Sequence, residues 1–250
     1  MMARDSAPAA IVRLDTVDST QSVAFGLAER GATDRTVVVA DQQLAGRGRR
    51  GRPWQAPAGT SLLASIIVRP RLPQTLLPTF SPMTAVATAE ALRRVAPVAA
   101  RVKWPNDVLV GGKKIAGILL ESRAPVIIIG IGVNLGQREF PPELAGHATS
   151  VALETGRAPD RETMLSALLE EFDAWRVRLE REGFGAVREQ WRMLSDTLGR
   201  PVTLDGVTGI AVDLDVDGAL LIDAGGTVRR VIAGEIARDE AAAGSRAGGR

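Results

Sequence analysis

The chain has 250 residues, 45% of them hydrophobic, enough for one main domain with a sizeable core and a small second one. Its net charge of +2 is too small for a bulk polyanion binder, so any strong positive field must be local. With no cysteine and a single histidine, His147, the chain has no disulfide, thiolate zinc site, cysteine nucleophile or multi-histidine metal centre.

No apolar run is long enough to span a bilayer, and Met1 to Ala10 lack the apolar core of a signal peptide, so a cytoplasmic protein is expected. Ile11 to Leu14 reads as a short strand, followed by a polar turn from Asp15 to Thr20 and a helix from Gln21 to Arg30 closed by Gly31. Ser19 and Thr20 read first as an N-cap; their hydroxyls would equally suit a carboxylate or a ureido oxygen at the helix start. Thr36 to Ala40 is a β-branched, buried strand that leads through Asp41-Gln42-Gln43 into the most unusual stretch of the chain.

That stretch is Gly46-Arg47-Gly48-Arg49-Arg50-Gly51-Arg52-Pro53-Trp54. Four arginines and three glycines in so short a span cannot be core. It reads as a flexible cationic loop whose glycines let the backbone approach an anion. As text it contains G-x-G-x-x-G, but turn residues follow instead of a helix, so the dinucleotide-binding context is missing. An RNA-binding loop is the second reading, weakened by the lack of an aromatic platform in a chain only 4% aromatic. The third is a loop that orders over a nucleotide phosphate and a small carboxylate.

Ser61 to Val68 is another strand, and Ser81-Pro82 opens a helix with Met83, Val86, Ala87 and Ala91 on its apolar stripe. Pro105 forbids a helix through Arg101 to Val110. Gly111-Gly112 marks a hairpin into a strand from Lys113 to Ser122, and Val126 to Ile131 is a central strand ending in Gly130-Ile131-Gly132-Val133-Asn134. Lys103, Asn106, Asp107, Lys114 and Asn134 fall at strand ends or beside turns, where neighbouring strands would bring them to the arginine loop. Arg138 to Pro159 is an irregular connection, and His147 within it reads as a surface or packing residue. Helices follow at Arg161 to Arg181, with Leu165, Leu168, Phe172, Trp175 and Leu179 on its core face, and at Gly185 to Leu194. Four short β-rich runs, Val202 to Leu204, Val207 to Val212, Ala219 to Ile222 and Val228 to Ala233, then alternate with glycine turns as a small meander or barrel. The tail 239–250 is expected to be disordered.

Five segments, in order, resemble the biotin–protein ligases: Asp18 to Gln21, Gln43 to Arg52, Lys103-Trp104-Pro105-Asn106-Asp107, Lys114 to Leu119 and Gly130 to Asn134. Gln21 departs from the family's usual asparagine but keeps a donor and an acceptor. The resemblance implies an α+β fold, a mixed sheet with flanking helices like that of class II aminoacyl-tRNA synthetases, over 1–197. A small SH3-like barrel is implied over 198–238. It implies a ligase-only chain without direct DNA binding, since too few residues precede Leu14 for a helix-turn-helix.

The implied activity makes biotinyl-5'-AMP from biotin and ATP with Mg2+, then transfers biotin to a lysine of the biotin carboxyl carrier of acetyl-CoA or a related carboxylase. Mg2+ would arrive with ATP, not in a fixed protein site; no membrane partner is expected, and a homodimer is compatible with the resemblance. By the same resemblance, biotin is held by Ser19, Thr20, Gln21, Gln43, Arg47, Gly48, Arg49, Lys114, Gly117, Gly130 and Gly132. ATP falls to Arg47, Arg49, Arg52, Trp54, Lys103, Asn106 and Asn134. Lys114, Arg49 and Asp107 are the candidate catalytic groups. A lipoate–protein ligase of related fold is the nearest competing reading, and an RNA-binding module is the non-enzymatic one.

Overall fold

The computed structural model describes residues 10–232 and 234; the expected tail 239–250 lies outside them. Seven strands form one sheet in the order β1-β2-β3-β7-β6-β5-β4: β1 (Ile11–Val17), β2 (Val37–Gln43), β3 (Ser61–Val68), β4 (Arg101–Lys103), β5 (Asp107–Val110), β6 (Lys113–Arg123) and β7 (Val126–Asn134). β1 and β2 are parallel and the remaining pairs antiparallel, so the sheet is mixed. β1 continues through Asp15-Thr16-Val17, which the sequence marks as a turn. Pairing of Thr16 with Gln42 and Val17 with Gln43 overrides their polarity.

The sheet's two faces are covered unequally. Alternate residues of a strand point to opposite faces. In β7 the isoleucines 127, 129 and 131 join the large core with α2 (Phe80–Val95), α4 (Arg161–Glu182) and α5 (Phe184–Leu194). Ile128 instead joins Val38, Ile67, Ala24 and Phe25 beneath α1 (Thr20–Glu29) on the other face. Gly130, Gly132 and Asn134 continue that second face beyond α1. One face is thus packed by three helices, the other by one helix over part of its width, leaving a floor of backbone and small side chains.

α2 starts at Phe80 after a 3-10 turn over Gln74–Thr79, so Ser81 is not its cap; its hydroxyl donates to the Pro105 carbonyl. The helix is buried nearly all round instead of along one stripe, because α4, α5 and the sheet all pack on it. Thr84 and Thr88 tolerate that burial by donating their hydroxyls to carbonyls four residues back. The predicted face of α4 is buried throughout. A short helix, α3 (Val151–Thr155), interrupts the connection that the sequence leaves irregular.

β8 (Pro201–Leu204), β9 (Val207–Leu214), β10 (Leu220–Asp223) and β11 (Val228–Val231) form an antiparallel meander. Its buried residues, among them Leu204, Leu214 and Ile222, are continuous with the main core. Trp104 ties the two sheets: its backbone N–H donates to Thr197 Oγ1 at 2.9 Å and its indole to the Gly218 carbonyl at 3.1 Å. Arg188 on α5 grips both oxygens of Asp213 at 3.1 and 2.6 Å. Burial pushes the Asp213 carboxyl up, but hydrogen bonds from Arg188 and the Leu214 amide outweigh it and hold the group below its usual range. Arg176, buried on α4, likewise keeps its charge against desolvation through Asp34 and Glu180.

Candidate active site

One cavity lies on the open face of the sheet, between the start of α1, the arginine stretch, β5–β6 and the segment 140–148. Every residue nominated from the sequence lines it except Lys103, which sits on β4 opposite Asp107.

The arginine stretch is a small hairpin. Trp54 N–H donates to the Gly46 carbonyl at 2.8 Å and Gly48 N–H to the Arg52 carbonyl at 2.7 Å. A 3-10 turn at Arg49–Gly51 closes its tip, with Arg50 and Gly51 at φ of 57° and 73°. The left-handed backbone suits Gly51 and strains Arg50. Gly46 has no room for a side chain, since a Cβ would lie 2.5 Å from the Trp54 carbonyl oxygen. Arg47 reaches Ser22 Oγ at 3.4 Å and Glu121 at 3.6 Å, and Arg49 donates to Asn106 Oδ1 at 3.3 Å.

Beneath the hairpin the floor is glycine. A Cβ on Gly132 would sit 2.5 Å from the Trp54 ring, and one on Gly117 would meet both Trp54 and the Lys114 side chain at 3.0 Å. The indole therefore lies directly on β6 and β7. Its Nε1–H is buried and has no acceptor among the described residues. Trp54 lines the cavity, with this nitrogen 3.0 Å from where a Cβ of Gly132 would sit. Lys114 Nζ stands 2.5 Å from Asp107 Oδ1 and 5.6 Å from the centre of the Trp54 ring. Asn106 braces this corner: its Nδ2 donates to the Ile118 carbonyl at 2.6 Å, and its own carbonyl accepts the Ile118 N–H at 2.9 Å.

At the other end the floor is polar and closely hydrogen-bonded. Ser19 occupies the N-cap position of α1 but makes no capping bond through its side chain. The Thr20 N–H is taken instead by Gln43 Oε1 from β2 at 2.8 Å. The Gln21 amide nitrogen donates to the Leu119 and Ile128 carbonyls, and its oxygen accepts from Ser65. Gln21 thus spends its amide on the sheet, and a Cβ at Gly130 would come within 2.6 Å of it.

Sequence reasoning missed two parts of the lining. Ser65 lies inside a strand that reads as uniformly buried. Phe140, Leu144 and His147 lie in the irregular connection. Lys114 N–H donates to the His147 carbonyl and the Lys114 carbonyl accepts from Thr149, both at 2.8 Å, so this segment is stitched to the start of β6. Asn134 Nδ2 adds a bond to the Thr149 carbonyl at 3.0 Å. His147 is a surface residue, as the sequence suggests, and it also lines the cavity.

The Biotin/lipoate A/B protein ligase family matches residues 14–136, and the Biotin protein ligase C terminal domain matches residues 197–238. A bifunctional ligase/repressor of Bacillus spizizenii is 34% identical over 90% of this chain and 73% of its own length. The chain belongs to the biotin protein ligases. Within that family, the biotin--[acetyl-CoA-carboxylase] ligase of Paracoccus denitrificans is 38% identical over 84% of this chain and 92% of its own. The biotin protein ligase of Aquifex aeolicus, solved with biotin and ATP, superposes with a TM-score of 0.82 at 31% identity, covering 91% of this chain and 97% of the other. These matches bear out the α+β ligase fold. The family's C-terminal domain falls on the meander, and among the described residues its pairing runs β11-β10-β9-β8.

Proposed function

We propose that this chain condenses biotin with ATP to biotinyl-5'-AMP and passes the biotinyl group to a lysine of the carrier domain of acetyl-CoA carboxylase or a related carboxylase. In the first step a biotin carboxylate oxygen bonds to the α-phosphorus and pyrophosphate leaves. In the second a lysine amine attacks the acyl carbon and AMP leaves. Both reactants of the first step are anions, so the site must supply positive charge where they meet. Mg2+ belongs to the nucleotide; among the described residues no cluster of three His, Asp or Glu could hold a metal ion.

The observation that carries this reading is the convergence in one cavity, over one glycine floor, of Lys114, the arginine hairpin and Trp54. Lys114 is assigned to the carboxylate and α-phosphate, where a ligand anion would take over its contact with Asp107. Asp107, once released, is the acceptor for the proton of the incoming lysine. Arg47, Gly48 and Arg49 cover the acyl phosphate and keep water from it. The hydrogen-bonded polar end, Ser19, Thr20 and Gln43 with Gln21 behind, takes the ring system; Gly130 makes room for Gln21, and Gly117 and Gly132 make room for Trp54, so that these side chains can bound it. Arg52, Trp54, Asn106 and Asn134 are assigned to the nucleotide side. Phe140, Leu144 and His147 offer the base an apolar and aromatic wall.

The reading places the boundary between the catalytic unit and the small sheet at 197/198, a cytoplasmic setting and a homodimer as the state to test. Among the described residues no helix is long and apolar enough to cross a membrane. The proposal covers the ligase activity alone. ATP–pyrophosphate exchange with biotin, with lipoate and with neither tests it. Exchange with biotin only is expected; exchange with lipoate instead, or none with biotin, contradicts it.

A further inference from the structure

The polar end of the cavity contains one hydroxyl to which nothing above assigns a role. Ser65, at the centre of β3, is 0% exposed and is among the residues lining the cavity. Its Oγ lies 3.1 Å from Gln21 Oε1 and 2.8 Å from Thr20 Oγ1.

The direction of each proton follows from the partners. Both hydrogens of the Gln21 amide face carbonyls, Leu119 O at 3.3 Å and Ile128 O at 3.2 Å, so its oxygen faces Ser65 and can only accept. Ser65 must therefore donate to Gln21, which leaves its lone pairs toward Thr20. The Thr20 hydroxyl has a second acceptor at 3.0 Å, Gln43 Oε1, which is fixed as oxygen by the Thr20 backbone N–H. The single Thr20 hydrogen is thus drawn to Ser65 or Gln43, and what remains for a ligand is a lone pair. Gln43 in turn keeps its Nε2 hydrogens.

We infer that Ser65 is a positioning residue that, backed by Gln21 and together with Gln43 Oε1, holds the Thr20 hydroxyl as an acceptor and so tunes this end of the cavity to a cyclic urea, which offers N–H to Thr20 and C=O to Gln43. The inference rests on the biotin reading above and deepens it. A thiolane or dithiolane ring without the urea has no N–H for that lone pair.

Steady-state pyrophosphate exchange by the full chain tests it. Wild-type exchange with biotin first establishes the activity itself. Ser65→Ala should raise KM for biotin about tenfold, the size of one hydrogen bond to a buried polar group, with kcat and KM for ATP within about twofold. Desthiobiotin, which keeps the urea and lacks the sulfur ring, should suffer the same rise. Ser65→Thr, which restores the hydroxyl, should recover most of the loss. If Ser65→Ala does not fold, Ser65→Cys, with a similar volume and a weaker donor, replaces it in the comparison. An unchanged KM for biotin, an equal rise in KM for ATP, or a desthiobiotin KM that does not move would each overturn the inference while leaving the ligase reading intact.

Discussion

On the floor of the cavity Ser65 is wholly buried, Gln21 is 3% exposed, and each polar atom is tied to β3, β6 or β7. In the roof, Arg47 is about half exposed and meets Glu121 only at 3.6 Å, and Arg49 leans on the neutral amide of Asn106. The contrast sharpens beside Arg176 and Arg188, which hold carboxylates bidentately at 2.6–3.1 Å elsewhere in the fold. Arginines that brace structure are given close carboxylates; Arg47 is given a distant one. A stiff floor can read a neutral ring because its donors and acceptors are fixed before the ligand arrives. A cationic roof whose Arg47 meets its carboxylate only at a distance can close on the anionic carboxylate and phosphates of the ligands, and reopen to release product.

The largest effect should come from the cation between floor and roof. Lys114→Ala should slow biotin-dependent pyrophosphate exchange about a thousandfold, since one aimed donor in a dry site is worth that much. Near-normal exchange would remove Lys114 from the chemistry. A strike at the floor comes next. Gly130→Ala places a methyl 2.6 Å from the Gln21 oxygen, which its hydrogen bonds keep from moving aside. Overpacking of about 1–3 kcal/mol should appear as a biotin KM raised roughly 5- to 150-fold. An unaltered KM would mean that the floor is as adaptable as the roof, and the contrast would fail.

A strike at the roof should behave differently. Arg49→Gly should retain exchange but release biotinyl-5'-AMP about tenfold faster, the effect of one charge-assisted hydrogen bond, as read by filter trapping of the intermediate. Retention equal to wild type would end the covering role. The smallest effect on activity is expected far from both. Asp213→Asn loosens α5 from the small sheet and should cost about 1–3 kcal/mol of stability at neutral pH with exchange unaffected. Because the folded Asp213 carboxyl sits below its usual range, its contribution is complete above the ordinary carboxylate pKa of about 3.9. That contribution is lost as pH falls through the lowered folded value, so melting curves of wild type and variant should converge in acid. A constant gap at all pH values would contradict the ion pair as its source.

Much of this arrangement was legible before any coordinates, for physical reasons that differ by element. Ser61–Val68 is apolar enough on both faces to be a strand with no tertiary help, and α4 carries its core face at helical spacing. The glycines 130 and 132 announce a close approach because a strand has little other use for them. Local polarity misleads at Asp15 to Val17, where a parallel partner strand holds extended what looks like a turn. Ser65 was invisible because one hydroxyl in an apolar strand carries no period of its own. Its meaning comes from Gln21 and Thr20, 44 and 45 residues away. The exposure of His147 agrees with its sequence reading, but its place at the cavity is hidden for a similar reason: backbone bonds to Lys114 bring that segment there.

The most direct measurement is to mix the purified protein with biotin and MgATP, omit any carrier, and identify the small molecule that stays bound by mass spectrometry. The account predicts retained biotinyl-5'-AMP, formed by wild type and almost absent from Lys114→Ala. Recovery of unreacted biotin and ATP alone from the wild-type protein would contradict it.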